Sequence, residues 1–226
     1  MPSQVDELRQ SLVDADVRLY SIHAAGGIGG MSGGRSERLS LDLCKAYADL
    51  AADLGASIVT MHAGLPPDGE KNERTRQLRR SLDELSRHIL DMPCKYAWEN
   101  IPWGPTTAEH LEWIRELDPG AFSFVLDSGH SNIDDTAEAY LEACQGFLCN
   151  MHINDNSGKH DEHKIPGTGS QRWEDFMRKL ESSGYVGPLM LEIEARDRQD
   201  CLDSVLTEAR ASVDWLKSLR QPGVLP

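Results

Sequence analysis

The sequence predicts an α/β fold in which parallel strands alternate with covering helices and close into a barrel. Short apolar runs of strand length alternate with longer segments whose apolar residues recur every three or four positions. That alternation is typical of a parallel sheet with helices packed on it. The predicted strands are residues 17–22, 57–61, 95–98, 122–126, 147–153 and 189–191.

The predicted helices fill the intervals between these strands. The first helix, 3–13, begins at Ser3, which can form a capping box with Asp6. The other helices are expected around residues 39–54, 78–89, 111–117, 137–144, 176–180 and 205–216. His88 and His110 fall inside two of these helices, and we expect both to lie on the surface.

Residues 26–34 hold six glycines but do not match the GxGxxG register. We therefore predict a lid or a flexible loop there and no phosphate cradle.

Composition narrows the class of protein. A chain of 226 residues, 39% of them hydrophobic, is expected to form one domain, 1–226. The net charge of −14 argues against binding to a phosphate backbone, so nucleic acid is an unexpected partner. Five cysteines without a CxxC pair indicate reduced thiols. Without a long apolar run or a signal segment, the chain is predicted to be soluble and cytoplasmic, with no membrane contact.

Side chains that can bind a metal stand at the carboxyl ends of all the predicted strands. They are His23, His62, Glu99, Asp127, His152 and Glu192. In a (β/α)8 barrel these ends converge on one mouth, whereas on an open sheet they would lie along a line too long to share one ion. Imidazoles mixed with carboxylates suit Zn²⁺ or Mn²⁺ better than Ca²⁺ or Mg²⁺.

A polar loop, residues 154–169, follows the strand that carries His152. Asp161 and His163 are one residue apart there, so both can reach the same cation. Asp155 is expected to hold His152 or the loop in place. We expect Gly167 and Gly169 to permit a tight turn.

The ordered series IHAAG, MHAG, WEN, LDSGH, HINDN, DEH followed by GTG, and LEIE resembles the xylose isomerase-like barrels from about residue 17 to 193. That superfamily holds sugar isomerases and epimerases together with endonuclease IV. The resemblance to the epimerase branch implies one divalent ion, commonly Mn²⁺, with four protein ligands. These would be Glu99, Asp127, His152 and Glu192.

The resemblance to the endonuclease branch implies three zinc ions and a larger ligand set. It adds His23 and His62 around one ion and His130, Asp161 and His163 around another. For His130, orienting Asp127 or binding substrate stays open as an alternative. The metal ligands therefore do not separate the two branches.

Charge favours the sugar enzyme. The resemblance to endonuclease IV would imply a longer chain with basic loops that grip DNA, whereas the loops here are short, glycine-rich or acidic. The basic residues near the predicted site are only Arg35, Arg38, Lys159 and Lys164. The first predicted function is therefore sugar isomerisation or epimerisation, a reaction of carbohydrate metabolism. The second is cleavage of DNA at abasic sites.

The predicted mechanism has the metal bind a carbonyl and an adjacent hydroxyl of the sugar and stabilise an enediolate. Glu99 and Glu192 would act as base and acid on the two faces of the reacting carbon. Trp103, Asn100 and Lys164 are predicted to contact the sugar. Packing remains an alternative for Trp103, and stabilisation of the strand end remains one for Asn100.

The beginning of the chain raises a third reading. The family that the chain resembles normally opens with a strand before its first helix, but here that helix begins at once. We expect a barrel that lacks its first strand, with the gap filled by residues upstream or by another chain in a homo-oligomer. An incomplete barrel also leaves a third function open, that of a binding or auxiliary protein that keeps the fold but does not catalyse a reaction.

Overall fold

Strands and helices alternate along the chain, as predicted, in a computed structural model that describes residues 3–29, 36–64, 71–102, 105–194 and 202–219. The strands in these ranges are β1 Ser21–Gly29, β2 Ile58–Gly64, β3 Lys95–Glu99, β4 Phe122–Asp127, β5 Leu148–Ile153 and β6 Leu189–Leu191. The helices are α1 Gln4–Asp14, α2 Glu37–Leu54, α3 Lys71–Ile89, α4 Thr107–Glu116, α5 Ser128–Asp134, α6 Ala137–Ala143, α7 Trp173–Ser182 and α8 Leu202–Leu219.

The chain divides into two compact units. The first unit comprises Met1–Glu99 and Gly104–Ser123, and the second comprises Asn100–Trp103 and Phe124–Pro226. The prediction of a single domain stays a prediction.

In the first unit, β1 pairs with β2 and β2 pairs with β3, both in parallel. Val59 and Met61 of β2 and Trp98 of β3 are fully buried, with Leu78 and Leu85 of α3 also in the core. Helix α2 begins after Ser36, which accepts a hydrogen bond from the Leu39 amide, and ends at Gly55 with φ +78°.

The glycine-rich segment differs from its prediction, because β1 continues through Gly29. Its register with β2 shifts between His23 and Gly27, so extra residues bulge from β1 there. A Cβ on Gly27 would lie 2.0 Å from the carbonyl oxygen of His62, and glycine therefore lets the two main chains approach. The loop prediction is wrong for residues 26–29, and residues 30–34 lie outside the described ranges.

His110 also differs from its prediction, because it is buried. Thr106 and Glu109 form a capping box that begins α4. This helix turns His110 inward, where it is 1% exposed and its ring centroid lies 4.7 Å from that of Trp98. Burial lowers the pKa of His110 to about 3. His88 is partly exposed and lies 3.0 Å from Asp49.

Helix α1 has the predicted capping box between Ser3 and Asp6. None of its side chains is buried, and Leu8 is 47% exposed. The Arg9 guanidinium donates to the Asp53 carbonyl at 2.8 and 3.2 Å, which ties α1 to the end of α2. The homo-oligomer stays a prediction.

In the second unit, β4 pairs with β5 and β5 pairs with β6, again in parallel. The register sets Asp127 beside His152. Helix α5, which the sequence analysis missed, follows β4 directly, with Asp127 as its N-cap. Its pattern is too short for helical periodicity to be recognised.

No helix in the described ranges is both long and apolar enough to cross a lipid bilayer. Cys44, Cys94, Cys144 and Cys149 carry reduced thiols. Burial raises the pKa of the Cys44 thiol to about 11, which keeps that group protonated and unreactive.

Candidate metal centres

The first unit contains a group that we call the Glu99 cluster, formed by His23, His62 and Glu99. Their ligand atoms all lie within 4.8 Å of one another. Both imidazole Nε2 atoms approach the same carboxylate oxygen, Glu99 Oε2, at 3.0 Å from His23 and 3.1 Å from His62. The two rings meet edge to face, with centroids 5.1 Å apart. β1, β2 and the end of β3 thus direct three ligand-type groups at one point.

The tautomer of His23 tests whether this cluster fits a cation. His23 Nδ1 lies 3.1 Å from the Ala24 carbonyl oxygen, which can only accept, so Nδ1 carries a proton. In a neutral ring Nε2 then has only a lone pair, and it faces a carboxylate oxygen. Two acceptors at 3.0 Å require a proton or a cation between or beside them. A metal ligand whose second ring nitrogen donates to a carbonyl is the usual arrangement for histidine.

The second unit contains the Glu192 cluster, formed by Asp127, His152 and Glu192. These residues come from the end of β4, from β5 and from the position after β6, and their ligand atoms lie within 4.8 Å of one another. His152 Nδ1 is 2.9 Å from Glu192 Oε2. The Glu192 amide donates to the Ile153 carbonyl at 3.1 Å, which continues the β5–β6 pairing up to the ligand.

The Asp127 carboxylate is fully buried and both of its oxygens accept hydrogen bonds. Oδ1 accepts from the His130 amide and Oδ2 from Asn154 Nδ2, each at 2.6 Å. Asn100 holds the main chain of Asp127 from both sides, since its Nδ2 donates to the carbonyl at 3.1 Å and its Oδ1 accepts from the amide at 2.7 Å. The bonds from the His130 amide and Asn154 Nδ2 fix the orientation of the carboxylate, and those from Asn100 fix the main chain that carries it.

A third group, the Asp161 cluster, consists of His130, Asp161 and His163 and also lies in the second unit. Asp161 Oδ1 is 2.9 Å from His163 Nε2, and its Oδ2 is 3.4 Å from His130 Nε2. His130 Nδ1 lies 2.8 Å from the Asn100 carbonyl oxygen, so His130 repeats the pattern of His23. This cluster therefore also fits a cation on the chemistry of its donors.

The electrostatics of the Asp161 cluster follow from its two imidazoles. Burial alone raises the pKa of Asp161, but the neighbouring imidazoles of His130 and His163 outweigh it and hold the pKa below its ordinary value. The hydrogen bond to Asp161 raises the pKa of His163. The backbone of His163 has φ +46°, a conformation that costs free energy in a residue other than glycine.

The structure thus brings the predicted ligands together within each unit, in three groups. Asn100 uses both amide atoms on Asp127, which is the strand-end role left open by the sequence, and its contact with substrate stays a prediction. Lys164 pairs with Glu162 at 2.7 Å. Trp103 lies outside the described residues.

Sequence reasoning missed the role of Asn154, which orients the Asp127 carboxylate. It also missed Asn156, whose Nδ2 donates to the Gly129 carbonyl at 2.7 Å. The signal available was the run HINDN, where buried amides directly follow a buried strand. Two buried amides in such a run indicate a hydrogen-bonded network, because buried polar groups require partners.

The amino-acid sequence is similar to those of several known proteins. The uncharacterised protein MJ1311 of Methanocaldococcus jannaschii is 25% identical over 181 residues, which cover 75% of this chain and 61% of that protein. Fructoselysine 3-epimerase of Escherichia coli O157:H7 is 26% identical over 164 residues, covering 69% of this chain and 59% of the epimerase. The chain therefore matches about six tenths of the length of these two relatives.

Solved structures share the fold. A D-tagatose 3-epimerase-like protein superposes with a TM-score of 0.78 at 22% identity, covering 97% of this chain and 83% of that one. D-psicose 3-epimerase from Clostridium cellulolyticum H10 gives 0.75 at 16% identity, covering 96% and 83%. A family model described as xylose isomerase-like TIM barrel matches residues 1–219. This chain belongs to the xylose isomerase-like TIM barrel family.

Proposed function

We propose that this protein is a divalent-metal-dependent sugar isomerase or epimerase. The observation that carries the proposal is the Glu192 cluster, in which two carboxylates and one imidazole from successive parallel strands offer ligand atoms within 4.8 Å of one another. Similarity to fructoselysine 3-epimerase supports the class of reaction. Mixed nitrogen and oxygen donors favour Mn²⁺ or Zn²⁺ as the ion.

Glu99 is proposed as the fourth ligand, beside Asp127, His152 and Glu192. It ends β3, and the next residue, Asn100, is bonded to the main chain of Asp127. The resemblance of WEN to the family motif supports the same assignment. A bound divalent cation supplies Lewis-acid chemistry, which stabilises negative charge on the carbonyl and hydroxyl oxygens of a sugar.

The proton transfers are assigned to Glu99 and Glu192. One carboxylate takes the proton from the carbon beside the sugar carbonyl, and the electron pair of that C–H bond moves toward the carbonyl oxygen, which gives an enediolate. The other glutamate, protonated, returns a proton to the opposite face of the same carbon. The carbonyl forms again, and the product is the epimer. Return of the proton to the neighbouring carbon, with transfer of the hydroxyl proton to the former carbonyl oxygen, gives the isomer.

The residues around these groups suit a hydroxylated substrate of low charge. The Asp161 cluster presents polar atoms that can bind sugar hydroxyls, and Lys164, Asn100 and Trp103 are the other proposed contacts. A neutral sugar is not repelled by a protein of net charge −14, which supports this substrate class over a phosphate polymer.

The experiment begins with elemental analysis of protein purified without added metal. About one equivalent of Mn²⁺ or Zn²⁺ is expected. The protein is then incubated in D₂O with a panel of ketohexoses that includes D-tagatose, D-psicose and D-fructose, and deuterium at the carbon next to the carbonyl is followed by NMR.

Glu192→Gln should abolish deuterium incorporation, because an amide cannot take the proton. Glu112→Gln is the matched control, since Glu112 is an exposed glutamate of α4 and belongs to none of the three clusters. Undiminished exchange by Glu192→Gln would exclude the role of Glu192. If the purified protein contains no metal and incorporates no deuterium into any sugar of the panel, an auxiliary barrel without catalysis would be supported instead.

A second candidate function is phosphodiester cleavage at abasic sites in DNA. The observation that favours it is the presence of the Glu99 and Asp161 clusters in addition to the Glu192 cluster, because three cation-binding groups suit hydrolysis by several metal ions. Three zinc ions per chain and cleavage of a duplex with one abasic site would establish it. One ion per chain and no cleavage would exclude it.

A further inference from the structure

Asp155 is a carboxylate with no exposed surface that accepts hydrogen bonds from five N–H groups. Oδ1 accepts from the Asn156 amide at 2.8 Å and the Gln171 amide at 3.1 Å. Oδ2 accepts from the amides of Gly167 and Gly169, both at 3.0 Å. The indole Nε1 of Trp173, in α7, donates to Oδ2 at 2.9 Å. One side chain thus joins the beginning of the loop to its end and to the helix that follows.

This arrangement is that of an anchor and not of a metal ligand. Five donors occupy the lone pairs of both carboxylate oxygens, so neither oxygen is directed at a cation. Asp155 also belongs to none of the ligand groups found among the described residues. A buried carboxylate requires several N–H partners, and the loop main chain supplies four of them.

The glycines of the GTG motif make the close approach to Asp155 feasible. A Cβ on Gly169 would lie 2.3 Å from Asp155 Oδ1 and 2.3 Å from the Asn156 carbonyl oxygen. Gly167 has φ +89°, and a Cβ there would lie 3.0 Å from the Trp215 ring. The motif therefore does more than permit a turn, because it lets two main-chain amides reach one carboxylate.

The anchored loop carries Asp161 and His163. Its two arms are joined where the Asp155 amide donates to the Lys164 carbonyl at 2.9 Å and the Lys164 amide donates back at 2.8 Å. The Glu194 amide donates to the His163 carbonyl at 2.9 Å, which links the loop to the segment after β6. These bonds hold His163 in its left-handed conformation beside Asp161.

We propose that Asp155 is a positioning residue that fixes the loop 155–171 and thereby assembles the Asp161 cluster. The Glu192 cluster does not depend on it, because His152 and Glu192 are placed by strand pairing. Binding of a cation or a sugar by the Asp161 cluster rests on the proposed function. The placement of the loop by Asp155 does not rest on it.

The test is hydrogen exchange, measured by mass spectrometry, in Asp155→Asn. Asparagine keeps the size of the side chain but turns an NH₂ group toward N–H donors. Peptides from residues 157–171 should exchange about 10- to 100-fold faster, the range for losing a hydrogen bond to a charged acceptor. Peptides from 148–153 in β5 should be unchanged. Gly169→Ala should give the same pattern if Asp155→Asn fails to fold, since its Cβ pushes the loop off the anchor.

Asp161→Asn is the matched control, because it removes a carboxylate from the same loop and leaves the anchor. Its exchange at 166–171 should match that of the natural chain. Co²⁺ titration, followed by visible absorption, supplies a second readout. In excess Co²⁺, a second and weaker site is expected at the Asp161 cluster beside the single resident ion of the Glu192 cluster. Both Asp161→Asn and Asp155→Asn should weaken that second site, the latter by about 10- to 100-fold, as for other residues that orient ligands.

Loop exchange within twofold of the natural chain, or equal acceleration in the loop and in β5, would overturn the proposal. The absence of Co²⁺ binding by the natural chain would count against the proposed function alone. The anchor is then judged by hydrogen exchange, so the two failures are distinguishable.

Discussion

Gly129, in α5, is the position where one added methyl group should disturb Asp127 most directly. A Cβ at Gly129 would lie 1.9 Å from Asn154 Oδ1 and 3.0 Å from Asn156 Nδ2. Asn154 is the residue that donates to Asp127 Oδ2 at 2.6 Å. Gly129→Ala therefore requires Asn154 to move and to give up that hydrogen bond.

The magnitude follows from three contributions. Overpacking a buried site costs about 1–3 kcal/mol. Loss of a hydrogen bond to a charged group costs about 1.5–3 kcal/mol. Alanine in place of glycine in a helix returns about 0.5–1 kcal/mol. We expect the free energy of unfolding to fall by about 2–5 kcal/mol, which lowers Tm by roughly 4–20 °C in a chain of this size.

The assay is differential scanning calorimetry of Gly129→Ala, Asn154→Ala and the double variant, all in chelator. Because the added methyl group meets the Asn154 side chain, Gly129→Ala should cost far less when Asn154 is already alanine. The reasoning would be refuted if Gly129→Ala lowered the free energy of unfolding equally with asparagine and with alanine at position 154. It would also be refuted if the single variant Gly129→Ala were more stable than the natural chain.

Three other predictions concern pH, strand pairing and metal. Because His110 has a folded pKa of about 3 against an ordinary 6.5, the unfolded chain takes up the proton first as pH falls. The contribution of His110 to the free energy of unfolding should be fully present above pH 6.5 and fall below it by about 1.4 kcal/mol per pH unit. Denaturant titrations from pH 7 to 5 should therefore show a free energy of unfolding that falls less steeply with decreasing pH in His110→Leu than in the natural chain. Gly27→Ala, whose Cβ would meet the His62 carbonyl oxygen at 2.0 Å, should lower Tm by several degrees and speed amide exchange in β1 and β2, whereas Gly120→Ala, whose Cβ would meet only the Asp118 side chain at 3.1 Å, should leave exchange in those strands unchanged. Chelation should lower Tm and added Mn²⁺ or Zn²⁺ should restore it, with Mg²⁺ and Ca²⁺ ineffective; an unchanged Tm would count against a bound ion.

Much of the fold could be predicted because its signals are local. Strand β3 was expected at 95–98 and lies at Lys95–Glu99, and β6 was expected at 189–191 and lies at Leu189–Leu191. Apolar runs of this length between helical patterns indicate buried parallel strands without reference to the rest of the chain.

The helix face of α4 shows where local patterns stop being sufficient. Leu111, Ile114 and Leu117 predict one buried stripe, and Ile114 and Leu117 are buried, but His110 and Trp113 are buried beside them whereas Leu111 is only partly buried. A turn of about 100° per residue separates His110 from Leu111, so an error of one position moves the edge of the buried face. Only the packing of His110 against Trp98 decides where that edge lies.

The order of residues along the chain was enough to identify the alternation of strands and helices and the ligand-type side chains predicted at strand ends, since both depend on neighbours a few positions apart. Three findings required the folded molecule: the close main-chain approach at Gly27, the contact of Gly129 with Asn154, and the convergence of five donors on Asp155. Apart from the Asn156 amide, the groups joined in these contacts are far apart in sequence. Their distances are set by how the elements pack, and no local pattern of polarity or propensity encodes them.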